Sequence, residues 1–148
     1  MPGIDECLLD VMRLPGARGA AVVDWTSGLA LGTIGEAPNG DHEATAAETA
    51  EVARMAAEQP AFALGSSDTA DRGSSGTADA PQDTAAPHAA PPVEDVIVTA
   101  RSGYHILRFV ETDFDSSVFL HLWLDRAEGN LALARIRLGE MAERLVLA

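Results

Sequence analysis

The chain has 148 residues, a net charge of −13 and a single cysteine. The length fits one domain with enough residues to build a core. The charge excludes the basic footprint that nucleic acid or an anionic membrane would require. The lone Cys7 excludes an internal disulfide and fits a reducing cytoplasm, where it is expected as a small buried residue on a helix. All ten basic residues are arginine.

In chain order, Ile4, Leu8, Val11 and Met12 fall on one face of a helix expected over Ile4 to Leu14, with Pro15-Gly16 ending it. Gly19 to Val23 and Leu29 to Ile34 read as two strands of a hairpin around the turn Asp24-Trp-Thr-Ser-Gly28, which has the Asp and Gly that tight turns favour. Trp25 at the tip of that turn is expected to be half packed, with a partner contact as the alternative. Asp41 is placed to cap a helix running to about Gln59. Its most regular stripe, Ala46, Ala50, Ala53 and Ala57, is all alanine. Such a stripe gains little from burial but allows close approach of another backbone. It can lie flat on its own sheet or meet a second helix across a dimer axis, with Val52, Met55 and Ala56 on a neighbouring face.

Pro60 stops that helix, and Ala61 to Leu64 reads either as a helix tail or as a small patch docking on the domain. From about Gly65 to Pro92 the chain is Gly, Ser, Ala, Asp, Thr and Pro without hydrophobic periodicity. Such a stretch buries too little apolar surface to offset its ordering entropy. One domain over residues 1–148 is therefore expected, interrupted by a disordered insertion at about 60–92.

Three strands follow with short connections: Val96 to Thr99, Tyr104 to Val110, and Ser117 to Leu124. Short loops favour antiparallel neighbours. The third strand is apolar on both faces, Val118, Leu120, Leu122 and Leu124 pointing one way and Phe119 and Trp123 the other. A strand with one wet face would alternate polar and apolar residues, so this sheet needs cover on both sides. A closing helix from Asn130 to Leu145 carries the stripe Leu131, Ala134, Leu138, Met141 and Leu145. With the first helix it can cover one face, leaving the alanine-rich helix for the other. The expected architecture is α+β: a five-stranded antiparallel sheet in the order α-β-β-α-β-β-β-α, with one helix on one face and two on the other.

Residues 41–58 hold five acids against Arg54. Solubility explains such a face, and steering of a basic partner patch is the sharper alternative. No nucleophile elbow is present, and the absence of lysine excludes a P-loop. No H-x-x-x-H or C-x-x-C spacing marks a metal site. His105 and His121 fall on neighbouring strands, where structural roles are expected and a shared polar role is the alternative. No cofactor is called for. No run of about 20 apolar residues suggests a membrane span. The N-terminus lacks the pattern of a signal peptide, so a cytoplasmic location is expected.

Several strings in this order resemble the roadblock family, also called the dynein light chain roadblock type. They are Leu14-Pro-Gly-Ala-Arg-Gly-Ala20 leading into Val22-Val-Asp24, then Ser27-Gly-Leu-Ala-Leu31, Val96-Ile-Val-Thr99, Gly103-Tyr-His-Ile-Leu-Arg108, and Leu124-Asp125 followed by Asn130-Leu-Ala-Leu-Ala-Arg135. The resemblance covers residues 4–59 and 93–145. It implies a non-catalytic module that dimerises and regulates Ras-like small GTPases by reshaping their switch regions. It also implies a homodimer joined through the central helix and the third strand. The interface residues would be Ala46, Ala50, Ala53, Ala57, Val96 and Val98, with Trp25 and Arg54 as candidate partner contacts. The long insertion and the alanine-rich, acidic central helix depart from the family pattern. The alternative function is a small-ligand sensor with a cavity lined by Tyr104, His105, His121 or Trp123, and a weaker one is an enzyme with an unfamiliar site.

Overall fold

The computed structural model describes residues 3–67, 92–111 and 117–145. Most of the stretch expected to be disordered, residues 68–91, lies outside them, as do residues 112–116 of the last strand connection. The elements are α1 (Ile4–Val11), β1 (Ala17–Asp24), β2 (Leu29–Gly35), α2 (His42–Glu58), a 3-10 helix (Pro60–Ser67), β3 (Asp95–Ala100), β4 (Gly103–Val110), β5 (Val118–Asp125) and α3 (Leu131–Arg144). All neighbouring strands are antiparallel, in the spatial order β2-β1-β5-β4-β3. The expected order and composition of elements are those observed.

Local chemistry sets the helix starts. The Asp41 side chain accepts from the backbone N–H groups of Glu43 and Ala44 at the head of α2, and Asn130 accepts from Leu133 at the head of α3. These caps satisfy donors that the first turn leaves without intrahelical partners. α1 ends at Val11, earlier than its apolar stripe suggests, yet Leu14 beyond it is still buried.

β5 lies at the centre of the sheet, and Val118 to Leu124 are buried throughout. Leu120, Leu122 and Leu124 join Leu8 and Val11 of α1 and Leu138 of α3 in one core. Phe119 points the other way, into a second core with Val23, Leu107, Phe109 and the alanines of α2. One helix thus covers one face and two cover the other. The cover on the second face is uneven, since α2 packs chiefly over β1 and β2. β3, at the sheet edge, is left only partly sheltered: Val96 is half-buried and Val98 is exposed.

A close approach holds the open end of the β1–β2 hairpin together. Gly19 pairs with Gly35, and a Cβ added at Gly19 would sit on the carbonyl oxygen of Glu36. That oxygen belongs to the backbone and has little room to retreat. Gly19→Ala is therefore expected to cost about 3 kcal/mol, the upper end for overpacking. A urea midpoint unchanged from that of the wild type would refute the close approach.

Candidate interaction surface

The alanine stripe sits inside the chain. Ala46, Ala50 and Ala53 are 1%, 0% and 0% exposed and pack against Ala21, Val23 and Phe119 of their own sheet. A second polypeptide cannot touch atoms that the first already covers. Alanine suits this position because small side chains bring the helix axis close to the strands. Ala57, one turn further on, is half-buried at the margin of the same core. The surface α2 presents outward carries Val52 and Met55, the latter 62% exposed.

Five of the nine large apolar side chains exposed among the described residues lie on α2, the 3-10 helix behind it, and β3: Val52, Met55, Phe62, Ile97 and Val98. These residues make the outer face of α2 and the edge strand β3 candidate contact surfaces, each carrying more than a single stray apolar side chain. Among the described residues β3 pairs with β4 along one side only. On its other side no described strand pairs with it, and such an edge is the usual template for adding a strand. The sequence pointed to Val96 and Val98 by resemblance, and to Val52 and Met55 by helical spacing. It did not single out Phe62 or Ile97, whose exposure depends on where the sheet ends.

Trp25 and Arg54 are brought together. An Arg54 Nη donates to the Trp25 carbonyl oxygen at 2.7 Å, and the guanidinium lies 3.6 Å from the Glu51 carboxylate. The Trp25 ring meets Phe109 edge-on, at 6.3 Å between centroids, and its indole nitrogen is buried with no partner among the described residues. Both residues serve the fold here, tying the β1–β2 turn to α2. Asp24 anchors the same turn by accepting from the backbone N–H and hydroxyl of Thr26 and from the Ser117 hydroxyl. Burial alone would raise its carboxyl pKa. The hydrogen bonds outweigh that and hold it below the ordinary value.

His105 and His121 also meet. Their ring nitrogens Nδ1 and Nε2 lie 2.9 Å apart, so one imidazole donates and the other accepts. Trp123 stacks parallel to His105, and the Arg18 guanidinium covers the indole at 3.9 Å. Burial drives the His121 pKa down to about 3, with the nearby charges of His105 and His42 adding to the effect. Burial likewise lowers that of His105. This is a neutral polar bridge between two strands. The cavity touching His121 and Trp123 has a volume of about 10 Å³, room for roughly one water molecule. It is not the ligand-sized cavity a sensor would need. Wider clefts, of about 470 and 250 Å³, lie along β2 and between α1 and α3. Among the described residues no group of three or more His, Cys, Asp or Glu is placed to hold a metal ion, and no helix is long and apolar enough to cross a membrane.

No family model matches the sequence, and no curated protein matches it. Solved structures do. The chain is similar to the Roadblock/LC7 domain from Streptomyces avermitilis, with a TM-score of 0.58 at 16% identity over 97% of this chain and 94% of that one. It is also similar to Myxococcus xanthus MglB, with a TM-score of 0.54 at 16% identity over 95% of this chain and 79% of that one. Identity this low carries the architecture and nothing finer. The likeness in fold extends over nearly the whole chain, and the fold of this chain is that of a roadblock domain.

Proposed function

We propose that this chain is a non-catalytic cytoplasmic adaptor that forms a homodimer and regulates a Ras-like small GTPase. The observation that carries the reading is the edge strand β3, on which Ile97 and Val98 are exposed, together with the exposed Val52 and Met55 on the outer face of α2. The likeness to roadblock structures supports it as an analogy of fold. In the dimer, Val96, Val98 and Ala57 border the contact with Val52 and Met55. Ala46, Ala50 and Ala53 act indirectly by setting the height of α2 above the sheet. Strand addition at β3 supplies backbone hydrogen bonds, and covering the apolar side chains supplies most of the free energy. The reading requires no bond to be broken and no cofactor.

Light scattering on the wild type and on the double variant Met55→Arg/Val98→Arg tests the interface. A wild-type dimer that becomes a folded monomer is the expected result. A wild-type monomer, or a dimer indifferent to both arginines, would remove this interface. The GTPase link is tested separately, by retention of purified small GTPases from the same genome, loaded with GDP or a non-hydrolysable GTP analogue, on the immobilised chain. Retention in one nucleotide state only is expected. Retention of none of them would end the GTPase reading while leaving the dimer intact.

A further inference from the structure

Arginine is scarce relative to acid in this chain, so the places where it gathers are informative. Arg13, Arg137 and Arg144 line one groove between the end of α1 and the side of α3, a cleft of about 250 Å³. The only acid among its lining residues is Asp10, so three positive charges face one negative, a net of +2. With the whole chain at −13, everything outside the groove sums to −15. No ion pair between described residues involves any of the three arginines. Three arginines outside the groove do form ion pairs, Arg18 with Glu36, Arg54 with Glu51, and Arg135 with Glu94 and Asp95. The groove also has an apolar floor. Leu14 and Met141 line it and are each only 7% exposed, with Leu133 beside them. Arg144 lies near enough to the Cys7 thiol to oppose the rise in pKa that burial imposes, which places its charge towards α1.

We propose that this groove binds an acidic peptide segment of a partner protein, the guanidiniums gripping its carboxylates and the floor taking one aliphatic side chain. Arginine presents a planar fork of donors that matches a carboxylate in two-point contact. Clusters of this kind recognise acidic motifs. Range decides between a peptide and an extended polyanion. A membrane surface or a nucleic acid is wide enough to meet acids well beyond the groove, in a chain whose net charge is −13. A short peptide meets mainly charges within about 8–10 Å, the screening length in physiological salt. The apolar floor favours a peptide over a free inorganic anion, which would gain nothing from it. The groove lies on the sheet face covered by α1 and α3, away from α2, so the proposal does not depend on the dimer reading.

The test is fluorescence anisotropy on the full chain, with a fluorescein-labelled peptide of about twelve residues built from glutamate, aspartate and leucine. Its lysine counterpart, inorganic phosphate and phosphatidylserine vesicles serve as comparison probes. Binding of the acidic peptide is expected, weakening as salt shortens the screening length. Arg13→Glu and Arg137→Glu should each weaken it about tenfold or more, Arg137→Lys should weaken it less, and Arg101→Glu in the exposed β3–β4 turn should leave it unchanged. Circular dichroism confirms that each variant is folded. Absence of peptide binding, binding untouched by the groove variants, or engagement of phosphate or vesicles without the peptide would each overturn the proposal.

Discussion

Ala50→Arg is expected to unfold the chain, not merely to separate two copies of it. Ala50 is 0% exposed and lies in the core formed by α2 with Val23, Leu107, Phe109 and Phe119. No described acid is a member of that core, so an arriving guanidinium would be buried without a counter-charge. An uncompensated buried charge costs about 3–5 kcal/mol, and the added volume forces α2 off the sheet at further cost. Domains of this size are stable by only about 5–15 kcal/mol, so most of the margin disappears. Thermal unfolding followed by circular dichroism should show a fall of roughly 15 °C or more, or no cooperative transition. Met55→Arg, at a position 62% exposed, should leave the transition nearly unmoved. The contrast separates the two roles of α2, its inner stripe holding the sheet and its outer face available to a partner. An Ala50→Arg chain that melts like the wild type would show that the stripe does not pack on the sheet as described.

Acid is expected to destabilise the fold well before the carboxylates protonate. Burial holds the His121 pKa near 3, against an ordinary value of 6.5. Between those limits the unfolded chain binds a proton at this residue and the folded chain does not. Unfolding then takes up a proton, so falling pH favours the unfolded state. Above about pH 6.5 the effect is absent, because neither state is protonated there. The slope reaches about 1.4 kcal/mol per pH unit for one such group, or roughly 2–3 kcal/mol between pH 6.5 and 4.5. His105, lowered in the same direction, adds to it. Asp24 also loses stability with acid, because its folded pKa is depressed, but from an ordinary value of 3.8 and therefore at lower pH. The charged and titratable groups around the pair are His42 near His121, and Arg18 on Trp123 with Glu36 as its ion partner. Urea midpoints measured across this range for the wild type and His121→Leu provide the check. The variant should lose most of the slope. Equal slopes in both proteins would show that the pair is not the acid-sensitive element.

Much of the fold was legible in the chain because its signals are local or periodic. Asp41 and Asn130 cap helices where their side chains were read to do so. Alternation along Val118 to Leu124, apolar on both sides, required a sheet covered on two faces, and β5 is the fully buried central strand. Strand ends were less legible. β1 runs from Ala17 to Asp24, beyond the Gly19 to Val23 of its apolar run, because pairing with Leu124 and Val118 of β5 draws its flanks into the ladder. Ala61 to Leu64, read two ways, falls in the 3-10 helix.

What the sequence determined by itself was which residues share a face; what it could not determine was what each face meets. Period 3.6 placed Ala46, Ala50 and Ala53 together, but a stripe of small side chains fits a sheet and a second helix equally well. Only the placement of α2 over β1 and β2 assigned the stripe to the chain's own core and turned Met55 outward. The same holds for groups distant in sequence. His105 and His121 come within 2.9 Å, and Arg13 faces Arg137 and Arg144, through strand order and helix docking. Those arrangements are fixed by long-range packing between elements, and no local spacing encodes them.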